Sequence, residues 1–340
     1  MRRPLPLAAE PVAPTLAVWE FAGLLTTYWC NARCAFCYVH SGPDRAGHLP
    51  VARAVDLWRQ LDEHAAAHGR TMRIHLGGGE PFGDWPRLAH TLHAARAASL
   101  TPVESVETNA FWATHDGLTR ARLELLAALG VGRLVISSDV FHQEFIPFDR
   151  VQRCVTLARQ ILGPGRIRVR WWDFLASPII IARRPLAERE AAYAAALARH
   201  KDRLTGRAAA RLAHLLPRFP AAHFQHERCA REVLASRHVH IDAAGHVFPG
   251  TCAGIILARA VDRSIDDVWR DLAAHWPDHP IVAAVVRGGS YALLDLARQH
   301  GYTEHPDGYA GKCHLCTDVR QYLFTRNLYP AHLGPRDCYA

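Results

Sequence analysis

The chain predicts an α/β fold: a parallel sheet covered by helices, followed by a small cysteine-rich C-terminal extension. Two patterns carry this. From Phe21 to about His200, short apolar runs alternate with amphipathic stretches of helical period. Strand-then-helix repetition of that kind builds a parallel sheet with its helices outside. After His200 the texture changes, and cysteine, histidine and glycine become frequent. With 340 residues, 49% of them hydrophobic, the chain can bury a sizeable core.

The elements follow in order. Apolar runs at 21–27, 72–76, 102–107, 133–137 and 167–172 read as strands. Pro102 is tolerable because it opens its strand, where no ladder donor is lost. Between them, 51–68, 85–99, 118–129, 151–162 and 186–200 carry helical periodicity. An Arg-Ala stretch at 204–216 reads as a further helix, ended by Pro217. Residues 238–250 read as a hairpin turning at 243–245, and its first strand is a candidate sixth strand. No internal repeat or low-complexity tract interrupts this. The expected division is a lead-in at 1–18, a core at 19–210 and the extension at 211–340.

Composition narrows the function classes. The net charge is +8, but Lys201 and Lys312 are the only lysines and the arginines are scattered without a run. That distribution argues against a nucleic-acid-binding face. Met1-Arg2-Arg3 is basic, yet Pro4, Pro6, Pro11 and Pro14 break any apolar core of a signal peptide. No apolar stretch is expected to span a membrane. Nine cysteines without an export signal read as metal ligands in a reducing, cytoplasmic setting.

The densest chemistry lies just past the first strand. Cys30-Asn31-Ala32-Arg33-Cys34-Ala35-Phe36-Cys37 puts three thiolates on one tight loop. Iron–sulfur cubanes are normally held by four cysteines, so three leave one iron open to another ligand. A zinc site or chance clustering is the alternative for the triplet alone. Past the second strand comes Gly77-Gly78-Gly79-Glu80-Pro81. Glycines allow close backbone approach, and the adjacent carboxylate can accept from an ammonium group.

In this order the motifs resemble the radical S-adenosylmethionine (SAM) superfamily, whose cysteine loop follows the first strand and whose glycine–glutamate motif follows the second. Glu107-Thr108-Asn109 ends the third strand and Ser137-Ser138-Asp139 the fourth, where the family places polar SAM contacts. The family's fifth-strand glycine motif has no copy; Arg168-Val169-Arg170-Trp171-Trp172 occupies its place. The resemblance implies a partial (β/α)6 TIM-like barrel with its site at the C-terminal ends of the strands, the face barrels of this kind use. It implies a [4Fe-4S] cluster on Cys30, Cys34 and Cys37 that binds SAM. Contacts to SAM would come from Phe36, Gly78, Gly79, Glu80, Thr108, Asn109 and Ser137. An electron donor such as flavodoxin or ferredoxin would drive reductive cleavage to a 5′-deoxyadenosyl radical.

The extension carries Cys229, Cys252, Cys313 and Cys316, with Cys338 near the end. A cysteine, a hairpin and a later cysteine pair are similar to the SPASM and twitch extensions of that superfamily, which implies one auxiliary [4Fe-4S] cluster. A four-thiolate zinc site is the alternative. Cys154 lies on an apolar helix face and reads as core, and His314 is not distinguished as a ligand among 22 histidines.

The reaction expected is hydrogen abstraction from a small polar metabolite, ending in oxidation or epimerisation. Asp139 and His142, past the fourth strand, are candidates to take the proton. For epimerisation, Cys338 and Cys154 are candidate hydrogen donors. A peptide maturase is the alternative; the short lead-in leaves no room for a leader-binding domain, so recognition would fall to a partner. A non-catalytic zinc or RNA-binding module would leave the ordered strand-end motifs unexplained.

Overall fold

The structure is a computed structural model that describes residues 14–340. The signal-peptide reading and most of the 1–18 lead-in fall on 1–13, outside the described residues.

Five strand–helix units come first. They are β1 (Phe21–Thr27) and α1 (Val51–Ala67), β2 (Arg73–Gly78) and α2 (Trp85–Ala97), and β3 (Ser105–Thr108) and α3 (Asp116–Ala128). β4 (Arg133–Ser137) is followed by α4 (Val140–Gln143) and α5 (Phe148–Ile161). β5 (Ile167–Arg170) leads to α6 (Asp173–Ala176), α7 (Leu186–Arg199) and α8 (Arg207–Leu212). The extension adds α9 (Ala230–Val233), β6 (His238–Ile241), β7 (His246–Pro249), β8 (Ala258–Arg259), α10 (Ile265–His275), α11 (Pro280–Arg298) and α12 (Lys312–Thr325).

All eight strands form one sheet in the order β5-β4-β3-β2-β1-β6-β7-β8. β1 to β5 are mutually parallel, as expected, and the sheet does not close, so the fold is a partial barrel. β6 is the sixth parallel strand, but it joins at the β1 edge, with Phe21 opposite His238 and Gly23 opposite His240. The hairpin β6–β7 is antiparallel and turns at Ala243–Gly245 as read from the sequence. Pro102 lies ahead of β3, which begins at Ser105, so the strand needs nothing from it.

One expectation is corrected. α11 is 19 residues long and apolar enough to cross a membrane by length and composition. It is however 56% buried, packs against α12 and breaks at Gly289 (φ 64°). A Cβ there would overlap the Glu227 carbonyl, so the break admits the segment leading to Cys229, whose amide bonds to the Val285 carbonyl at 3.1 Å. This is a use of glycine for close backbone approach.

Candidate active site

The cysteine loop is held from below by the glycine loop. Gly78 has φ 119°, and a Cβ on it would come within 2.5 Å of the Thr27 carbonyl. A Cβ on Gly79 would overlap the Trp29 carbonyl. The two chains touch because Gly79 N–H donates to Thr27 O (2.7 Å) and Glu80 N–H to Trp29 O (2.9 Å). The glycines therefore serve first the approach of the cysteine loop to the end of β2.

Glu80 is buried, with 1% of its surface exposed. Its carboxylate accepts from Thr108 Oγ1 (2.8 Å), Asn109 N–H (2.6 Å) and Phe82 N–H (3.2 Å). Burial raises its pKa to about 7 against the pull of those donors. Asn109 in turn donates from Nδ2 to Asn31 Oδ1 (2.9 Å) and approaches Cys30 Sγ at 3.7 Å. Thr108 Oγ1 also accepts from Trp112 Nε1 (2.9 Å). One buried network thus ties the ends of β2 and β3 to the first cysteine.

Phe36 stacks on Phe141 at 5.0 Å between centroids and faces Trp171 at 5.5 Å. Asp139 caps α4 and holds His142 Nδ1 at 2.8 Å. Asp139 is buried and His142 partly so; Asp139 is held below the usual carboxylate range mainly by the His142 charge, against burial, and His142 is raised by Asp139 and by the nearby Cys34. The pair leans on the cysteine loop and does not line the lumen. Ser137 shares a strand face with Arg133 and Val135, the lumen side.

That lumen holds a cavity of about 460 Å³. Phe36 and Tyr38 of the cysteine loop form one wall; the strands supply Arg73, His75, Glu107, Arg133, Arg168, Arg170, His238 and His240, and the chain after α7 adds Asp202 and Arg203. Enclosure raises the Glu107 carboxyl, opposed by Arg170 and Arg168. Apart from Phe36, none of these lumen groups was singled out from the sequence as a site residue. The signal was present: β2, β5 and β6 carry a polar residue at every second position, Arg73/His75, Arg168/Arg170 and His238/His240. Parallel strands covered on both faces read as continuous apolar runs. Alternation marks a wet interior.

In the extension, Cys229 precedes α9, Cys252 follows β7, and Cys313 and Cys316 lie in the first turns of α12. Cys229 and Cys313 each sit within electrostatic reach of Cys252 and Cys316. Burial and these neighbours raise Cys313 to about 12 and push Cys229 up further. Arg320, one turn along α12 and buried, lies within electrostatic reach of Cys316 and Cys252 and donates to Ala253 O at 2.8 Å and Thr317 Oγ1 at 3.3 Å. Cys338 stands apart beside Tyr28 and Asp242, and Cys154 is core. His314 Nδ1 accepts from Ala310 N–H, which occupies it structurally.

Residues 24–169 match the Radical SAM superfamily. They form a radical SAM domain. No curated protein matches the chain. Among solved structures, native anSMEcpe with bound AdoMet shares 12% identity over 90% of this chain and 98% of its own, at a TM-score of 0.47. Native anSMEcpe with bound AdoMet and Cp18Cys peptide shares 10% identity over the same fractions, at a TM-score of 0.43.

A domain of this family takes a [4Fe-4S] cluster and SAM, and the donor set fits. All nine cysteines are free. Among the described residues, the two groups that bring three donor atoms within 4.8 Å contain no cysteine. Thiolates on one tetrahedral zinc lie about 3.8 Å apart, from Zn–S bonds of about 2.3 Å. Neither cysteine set brings three donor atoms within 4.8 Å of one another.

Proposed function

We propose that the chain is a radical SAM enzyme acting on a small, polar, anionic metabolite bound in the barrel lumen, by oxidation or epimerisation. The observation that carries this is the cavity itself: it lies against the cysteine loop and is walled by five arginines and three carboxylates.

Cys30, Cys34 and Cys37 hold the SAM-binding cluster, and Cys229, Cys252, Cys313 and Cys316 an auxiliary one. When bound, the first cluster supplies reductive cleavage of SAM to a 5′-deoxyadenosyl radical that abstracts substrate hydrogen. Glu80 presents the acceptor for the methionyl ammonium, with Gly78, Gly79, Thr108 and Asn109 fixing its place; Phe36 and Ser137 face the lumen side of the same pocket. Asp139 and His142 position the loop through Cys34. Arg168 and Arg170, on the lumen face of β5, bind the substrate's anionic group. Arg320 offsets the charge of the thiolates within its reach.

The test is anaerobic reconstitution followed by dithionite-driven release of 5′-deoxyadenosine. About eight irons per chain are expected at four per cubane, with release abolished by Cys30→Ala. A panel of phosphorylated and carboxylated metabolites should stimulate release, and Arg168→Ala should remove the stimulation while leaving basal cleavage. Stimulation by peptides alone would replace the small-metabolite reading. Zinc without iron would sink the whole proposal.

A further inference from the structure

His75 of β2, Gly23 of β1 and His240 of β6 are paired across three neighbouring strands, and His238 lies two residues before His240 on the same face. Gly23 is what lets two imidazoles close over the middle strand. A Cβ there would overlap both the His75 and the His240 rings. Gly250 clears the ring of His238 in the same way. As a result His75 Nε2 and His238 Nε2 lie 3.0 Å apart, and one nitrogen from each of the three rings falls within 4.8 Å of the others.

The arrangement is poorly satisfied by the protein alone. His75 and His240 are 4% and 5% exposed, and the Nδ1 atom of each has no hydrogen-bond partner. Orphaned buried polar atoms each cost about 1–3 kcal/mol, so a ligand for His240 and an orienting partner for His75 Nδ1 are both expected.

We propose that His75, His238 and His240 hold one divalent transition-metal ion, zinc or ferrous iron, in the wall of the lumen cavity. Imidazole suits these metals. Nitrogens on a tetrahedral zinc sit about 3.3 Å apart, given Zn–N bonds of 2.0–2.1 Å, close to the His75–His238 spacing. With Nε2 of His75 on the metal, its Nδ1 faces Glu107 Oε1 at 3.6 Å, the carboxylate that would orient the ring. Arg73, two residues before His75, is the opposing charge; its guanidinium lies over the Phe21 ring at 4.9 Å. Three protein ligands leave a position for a water or a substrate oxygen, so the ion would act as a Lewis acid on whatever occupies the cavity. This site does not depend on the substrate class proposed above.

The test uses the full chain with its clusters reconstituted, dialysed against zinc and desalted. Zinc binds such a site at least as tightly as ferrous iron and is not confused with cluster iron. One retained zinc per chain is expected, with only nitrogen and oxygen neighbours at about 2.0 Å by zinc-edge X-ray absorption. His240→Gln and Gly23→Ala should lose the zinc while keeping the iron count. No retained zinc in the wild type, a sulfur shell at about 2.3 Å, or zinc that survives His240→Gln would each overturn the site.

Discussion

At the scale of single residues, Glu80 shows how far a motif can be read. The sequence marks it as an acceptor for an ammonium group, and its burial with three donors is visible only once β2 and β3 are side by side. The pKa near 7 sets a pH dependence. The ionised carboxylate is the form that pairs with an ammonium. Below pH 7 SAM binding must first displace the proton, and affinity should fall by up to about tenfold per pH unit. Above pH 7 it should be flat. Calorimetric titration of the reconstituted protein between pH 5.5 and 8.5 checks this, and Glu80→Gln should abolish the slope. The same substitution sets an amide N–H against the Asn109 N–H, costing about 1–3 kcal/mol. At Gly79 the constraint is steric. Gly79→Ala would drive a Cβ into the Trp29 carbonyl, and the purified variant should carry much less iron on the first cluster than wild type.

At the scale of elements, α12 is the informative helix. It brings Cys313, Cys316 and Arg320 onto adjacent turns, and Arg320 is the one fully enclosed cation beside those thiols among the described residues. Removing one partner of a buried charge pair is strongly destabilising, by about 3–5 kcal/mol. Arg320→Ala should therefore cut iron from about eight to about four per chain. Dithionite-driven SAM cleavage at the first cluster should persist, because Cys30, Cys34 and Cys37 lie on a separate loop. Iron analysis and cleavage measured on one sample decide it. The CxxC spacing was legible in the sequence; the helix carrying it was not, since α10, α11 and α12 lack strand-to-helix alternation to announce them. In α11, Gly288-Gly289 blurs the helical pattern at the point where the Cys229 segment passes. β1 to β4 were legible to within a few residues because each ends at a motif, and β5 from the apolar run that follows the fourth helical stretch. Their lumen faces went unread, although the alternation of arginine and histidine along β2, β5 and β6 was there to be counted.

At the scale of the whole molecule, the boundary expected near residue 210 does not divide the packing. β6 belongs to the extension by sequence, yet it pairs with β1 from Phe21–His238 to Leu24–Ile241. Tyr28, beside the cysteine loop, donates to Asp242 at the end of that strand (3.1 Å), and His64 of α1 meets Asp266 of α10 (2.9 Å). The buried hydrophobic residues form one cluster running from Leu16 to Tyr339. A chain ending at residue 210 would leave β1 as a long apolar edge strand with unpaired backbone groups, a template for aggregation. It would also remove His238 and His240 from the lumen. We therefore expect residues 19–210 expressed alone to be insoluble, or to show no cooperative thermal transition, and to take up no cluster on reconstitution. The full chain should melt as one unit, with far-UV and near-UV signals coincident. A soluble 19–210 fragment that melts cooperatively and binds about four irons would show instead that the barrel folds independently and that the extension only docks on its β1 edge.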